Sequence, residues 1–325
     1  MEKSGILIKV FFVWLILFFL TGCKDVNGPA TVAFTLEEKE LIPEGITFDP
    51  VTNQFFVSSI GKQKILSVLD DDRVMDFVSS GKDSIMETLG MKVDADKRRL
   101  WVVSNKKTGK INNSAVHVYN IDSKALIKKL FLRDTVPQLF NDLVLSAGGD
   151  AYITESNGGR IYHVDPEIDR LELFTGPDSL LAWVNGIAIS PDGRILYPAT
   201  GSQIVTIDIE TREIKPIGDP GKIGSKGIDG IVFYKGSLFG VMNSKDSESE
   251  MFIVKYELSP DMKQIKGSTI IDKGNPLFNL PTTCVVATDE LYVLGNTSLR
   301  LYFQDKTNSK GLFQKPLILR YSLDK

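Results

Sequence analysis

Apolar and polar positions alternate along this chain in short runs, and the runs come in a repeated order. The clearest copy is Asn185 to Thr200 (NGIAISPDGRILYPAT), which reads as a polar residue, an alternating strand, an Asp-Gly turn and a second strand. Copies begin at Glu44, Gly90, Asn141, Asn185, Asp229 and Thr282, so the steps are 46, 51, 44, 44 and 53 residues. A third alternating run follows each copy, at 65–70, 116–122, 161–165, 204–208, 252–256 and 318–324. A weaker fourth run follows the first five, near 74–78, 126–132, 171–174, 213–217 and 268–271. Short strands repeating every forty-odd to fifty-odd residues predict a β-propeller, and six copies predict six blades in one all-β domain. The sixth copy has no fourth run. An unpaired edge there would leave backbone donors and acceptors unmet. Thr31 to Leu36 (TVAFTL) is the spare strand, and it is predicted to complete the last blade and close the ring. No helix is predicted inside the domain, and 136–140 and 244–250 read as loops.

The first thirty residues follow another pattern. Lys3 and Lys9 precede an apolar run from Val10 to Leu20, which is too short to span a bilayer and suits a secretory signal. Leu20-Thr21-Gly22-Cys23 closes it and resembles a bacterial lipobox, so residues 1–22 are read as a lipoprotein signal peptide. Cys23 is then the lipidated residue, 23–30 its tether and 31–325 the propeller. The mature protein is expected in the cell envelope, lipid-anchored to a membrane outside the cytoplasm. The chain has two cysteines, and lipidation of Cys23 leaves Cys284 without a disulfide partner. A net charge of −3 gives no footing for nucleic acid, and 42% hydrophobic with 24% charged residues is ordinary for a globular domain. A small-molecule substrate and a monomer are the expected state.

In a four-stranded antiparallel blade the innermost strand starts on the face of the disc where the second strand ends. The first residues of the copies must therefore ring the central channel, and the second-strand ends Ser59, Asn105, Glu155, Thr200, Asn243 and Asn296 form a rim above it. Glu44, Asn141, Asn185 and Asp229 put four oxygen-bearing side chains in one slot of different copies. Any one of them alone reads as a turn residue, since Asn-Gly and Asp-Gly favour turns. A shared slot instead suits a hard divalent cation, and the irregular oxygen-only set favours Ca²⁺, with zinc disfavoured for want of nitrogen or sulfur. Gly90 brings no side chain to the second copy's slot. Asn105, Glu155 and Asn243 on the rim, and Trp183 in the loop before Asn185, are candidate substrate contacts. His117 and His163 fall in third strands, away from the channel, and the Gly-rich stretch 218–230 lacks the strand-to-helix setting of a phosphate loop.

Pro43-Glu44-Gly45, the Asn141-Asp142 pair, the run from Asn185 to Gly193 and the Asp229-Gly230 pair resemble the senescence marker protein/gluconolactonase (regucalcin-like) family, with more distant similarity to diisopropylfluorophosphatase and the paraoxonases. The resemblance runs through most of residues 31–325. It implies a six-bladed propeller with a divalent metal in the channel, held by Glu44, Asn185 and Asp229, with Asn141 as ligand or substrate contact. It also implies a calcium-dependent hydrolase of lactones or related esters, in which Asp229 activates water or acts as nucleophile. The residues that grip sugar lactones in the family find no match here, which leaves open a non-catalytic propeller that binds a ligand or an envelope partner.

Overall fold

The computed structural model describes residues 30–69, 73–166, 168–218, 227–243, 250–304 and 311–323. The expected signal peptide 1–22, the lipidated Cys23 and its tether as far as residue 29 lie outside these residues, as does 244–249 of the acidic loop.

Six four-stranded antiparallel sheets stand in a ring, and five of them take their strands from consecutive sequence. The innermost strands are Ile46–Asp49, Glu87–Asp94, Phe140–Leu145, Ile187–Ile189, Ile228–Tyr234 and Cys284–Ala287. The expected fourth strands are present at Val74–Val78, Leu126–Asp134, Arg170–Thr175, Ile214–Pro216 and Ile265–Lys273. The sixth sheet takes its outer strand from the other end of the chain. Thr31–Thr35 pairs antiparallel with Leu317–Ser322, Thr31 opposite Arg320 and Thr35 opposite Leu317, and Leu36 N–H extends the ladder to Pro316 O at 2.9 Å. An aromatic cluster seals this join. Phe55 of the first blade lies 4.6 Å from Tyr292 of the sixth, centroid to centroid, and 5.5 Å from Phe34 of the closing strand. The alternation is the cause of the packing. Each strand buries residues such as Val57, Val102, Ile153, Leu196, Val241 and Val293 between neighbouring blades, so no blade has a complete core alone.

Two features depart from the sequence reading. Leu299–Gln304 forms a short α-helix after the second strand of the sixth blade, where no helix was expected. The loop 136–140 ends one residue early, because Phe140 already pairs with Glu155. In the second blade, strands Arg99–Thr108 and Ile111–Asn120 run on past Asn105 as a hairpin that stands above the slot face.

Candidate metal and substrate site in the channel

The slot residues owe their inward aim to a backbone irregularity repeated around the ring. In the second, third and fifth blades the pairing skips a step, between Thr88 and Met91, Phe140 and Leu143, and Ile228 and Ile231. Each time one extra residue of the inner strand bulges. In the fourth blade Asn185 N–H and Gly186 O both bond to Ala199, at 2.8 Å each, and in the sixth Thr282 N–H and Thr283 O both bond to Leu294, at 3.2 and 3.0 Å. Two residues facing one is a β-bulge, which twists the strand and re-aims a side chain.

These registers also correct one slot. Met91 faces Val102 as Ile46 faces Val57 and Ile187 faces Pro198, so the residue equivalent to Glu44 and Asn185 is Leu89, and Gly90 is equivalent to Gly45 and Gly186. The second blade therefore brings a buried leucine to the ring. The glycine that follows most slots is required by proximity. A Cβ on Gly45 would come 2.2 Å from Leu89 O, one on Gly90 2.4 Å from Asp142 Oδ1, one on Gly186 2.4 Å from Asp229 O, and one on Gly230 2.5 Å from Thr283 Cα. The glycines of the Asn185-Gly186 and Asp229-Gly230 pairs are thus sites where one blade touches the next.

The contacts between blades close into a circle. Gly186 N–H donates to Asp229 O and Gly230 N–H to Thr282 O, both at 2.9 Å; Thr283 Oγ1 donates to Glu44 O at 2.6 Å; Thr154 Oγ1 donates to Asn185 O at 2.7 Å. Gly45 lies against Leu89, and Gly90 against Asn141 and Asp142. Glu44, Leu89, Asn141, Asn185, Asp229 and Thr282 therefore occupy one level around one axis, although 238 positions of sequence separate the first from the last.

Their side chains carry unmet chemistry. Glu44 Oε2, Asn141 Oδ1, Asn185 Oδ1 and Thr282 Oγ1 are buried and have no hydrogen-bond partner among the described residues. An unsatisfied buried polar atom costs about 1–3 kcal/mol, and four at one level call for a common partner. The oxygen of Asn141 is presented by design, since its Nδ2 donates to Ser156 Oγ at 3.0 Å. Burial drives the Glu44 carboxyl well above the usual carboxylate range, and the negative charges of Asp229 and Asp142 push it further, against Lys92. Burial likewise raises Asp142, whose two oxygens accept from Leu143 N–H at 2.8 Å and Ile187 N–H at 3.3 Å. Repelling carboxylates over inward oxygens fit a bound cation. Among the described residues no three His, Cys, Asp or Glu side chains converge to hold a metal. The groups that could hold one are instead two carboxylates, two amides and the Thr282 hydroxyl, whose residue the sequence places in the ring without its oxygen being counted.

The proposed substrate contacts lie in different settings. Asn243 Nδ2 donates to Asp229 Oδ2 at 2.5 Å and to Pro281 O at 3.2 Å, so it orients the carboxylate. Asn105 commits both ends of its amide to Phe140, accepting from its N–H at 2.9 Å and donating to its O at 2.7 Å. Glu155 is fully buried and accepts from Leu139, Asn157 and Gly158 N–H, each at 3.0 Å, and from Arg160 at 3.2 Å. Both pin the backbone around the slot. Trp183 is 70% exposed and has a φ of 56°, in a loop whose Ala182 O accepts from Gly201 N–H at 3.1 Å. A large apolar side chain left this exposed is a surface feature that a ligand could cover. His117 is buried in the second blade, and His163 Nε2 meets Asp150 Oδ1 at 2.9 Å.

Fold and ring together define a six-bladed propeller with an oxygen-lined channel. The chain belongs to the family described as the SMP-30/gluconolactonase/LRE-like region, which matches residues 42–216. Among solved structures it is similar to a gluconolactonase from Xanthomonas campestris (TM-score 0.59, 16% identity, covering 92% of this chain and 98% of that one). It is also similar to a calcium-binding protein, regucalcin, from Agrobacterium tumefaciens (TM-score 0.60, 16% identity, 89% and 93%). Likenesses at this identity speak for the fold. Among curated proteins it resembles the uncharacterized protein YncE of Escherichia coli strain K12, 26% identical over 153 residues, and that of Salmonella typhi, 26% over 182 residues. Those matches cover 46% and 55% of this chain, and 41% and 49% of the relatives' own length.

Proposed function

We propose that this chain is a calcium-dependent hydrolase of lactones or related esters, acting at the slot end of the channel. The observation that carries the reading is the level of buried oxygens on Glu44, Asn141, Asn185 and Thr282 that find no partner among the described residues, with the Asp229 carboxylate beside them. These five residues would hold the cation, and their charge of two carboxylates with neutral oxygens matches Ca²⁺, leaving positions for water and substrate. When bound, the cation supplies Lewis-acid polarisation of a carbonyl and charge stabilisation at its oxygen. Asp229, oriented by Asn243, takes a proton from the attacking water and returns it to the departing alkoxide. Leu89 at the ring and the exposed Trp183 in the loop before Asn185 favour an apolar acyl or alcohol part over a sugar. The family to which the chain belongs supports the lactonase class. Lipidation at Cys23 would hold the monomer at a membrane outside the cytoplasm.

The test is a lactonase assay with and without chelator, beside Asp229→Asn. Metal-dependent turnover, reduced about 10²-fold or more by the substitution, is the expected result. Calcium binding without turnover of aliphatic, aromatic or sugar lactones would overturn the hydrolase and leave a ligand-binding propeller. If Asp229 is instead the nucleophile and water opens the resulting mixed anhydride at the Asp229 carboxyl carbon, single turnover in ¹⁸O water leaves the label on Asp229 and not on the product acid.

A further inference from the structure

The registers that place the slots also place the next levels down the channel. Three residues below each slot stand Thr47, Lys92, Val144, Ala188, Val232 and Val285. Five blades bring small or apolar groups to this level, and the second brings a lysine. The level lies beneath a neck lined by Ile46, Met91, Asp142, Ile231 and Cys284, too narrow to admit a water molecule. Below the neck the channel opens again into a cavity of ≈ 460 Å³ facing the opposite side of the disc. Lys92 lines both the neck and this cavity.

We propose that this far mouth of the channel is a second binding site, which takes a small amphipathic anion such as a medium-chain aliphatic carboxylate. The wall is apolar, with aliphatic Val144, Ile187, Val232 and Val286 beside Phe233 and Tyr234. Lys92 is half-buried at its inner end and forms no hydrogen bond or ion pair among the described residues, although its charge is felt by Asp142 and Glu44 beyond the neck. The carboxylate at the outer end, Asp289, is already engaged, since Tyr234 Oη donates to it and Lys235 Nζ lies 3.0 Å away. The cavity therefore offers one cation at the bottom of an apolar funnel, facing the Asp142 and Glu44 carboxylates on its neck side, while Asp289, the carboxylate on the funnel wall, already has partners. Its volume lies in the range of small-molecule sites, which combine apolar walls with few polar anchors. A molecule of about ten non-hydrogen atoms, at the ~30 Å³ of a liquid water each, fills most of it. The neck separates this site from the slot level, so it stands or falls apart from the hydrolase reading.

Calorimetric titration of the full chain with sodium octanoate tests the proposal, with 1-octanol as the uncharged probe. One octanoate per chain is expected, with binding at least tenfold weaker for octanol. Lys92→Met should weaken octanoate at least tenfold by removing the anchor. Val286→Trp, at a half-buried position on the wall, should do the same by filling the funnel, and it keeps the test decisive should the lysine variant fold poorly. Octanoate affinity unchanged in the folded variants, octanol binding as tightly as octanoate, or no octanoate binding at millimolar concentration would each overturn it.

Discussion

Asn105 and Asn243 hold equivalent places at the ends of second strands, yet the atoms they touch separate their roles. Asn105 satisfies the Phe140 backbone, so Asn105→Ala should cost about 1–3 kcal/mol in urea unfolding and leave KM unchanged. Asn243 grips the Asp229 carboxylate, so Asn243→Ala should lower kcat while shifting the unfolding midpoint little. Equal kinetic effects from the two would contradict the assignment. Gly186→Ala forces a Cβ to 2.4 Å from Asp229 O, and overpacking there should destabilise the fold by about 1–3 kcal/mol and disturb two slots together. His117 gives the pH dependence. Burial, and then the Lys129 charge, lower its pKa from 6.5 to about 4. The unfolded chain takes a proton below pH 6.5 that the folded chain refuses until about pH 4. Stability is therefore intact above 6.5 and falls across that window, by up to ~3 kcal/mol. His117→Phe, which keeps a ring stacked 6.1 Å from Tyr119, should flatten the profile of urea midpoint against pH between 6.5 and 4. A parallel profile in the variant would contradict this.

At the scale of elements, the bulge is what turns a strand start toward the channel, and it is also where the sequence misleads. Repeats counted from their first residue put Gly90 in the slot, whereas counting from the glycine common to Gly45, Gly90, Gly186 and Gly230 puts Leu89 there. The signal was present, but the reason for that glycine is a contact between blades that only the assembled ring shows. Polar rim residues were illegible for a related reason: Glu155 and Asn243 look alike in sequence, while one holds loop amides and the other a carboxylate. The helix Leu299–Gln304 is too short to impose a helical period. The strands themselves were legible to within a few residues, because alternation is dictated by burial on both faces of each blade. The closing strand carries its own prediction. Removing residues 31–36 exposes the edge of Leu317–Ser322 and strips Phe34 and Leu36 from the join between first and last blades. The urea midpoint of the whole domain should fall in a single transition; loss confined to a minor early transition would contradict ring closure by this strand.

For the whole molecule, the propeller acts as a device that brings residues from distant copies to one axis. Five slots deliver oxygen and one delivers Leu89, and the same register delivers Lys92 to the channel's other end. The central claim is that the slot oxygens share a cation. Calorimetric titration of Ca²⁺ into the full chain, beside Glu44→Gln and Asn185→Ala, addresses it most directly. One site per chain, weakened at least tenfold by either substitution, is the predicted result; no calcium binding, or an affinity that both folded variants retain, would contradict it.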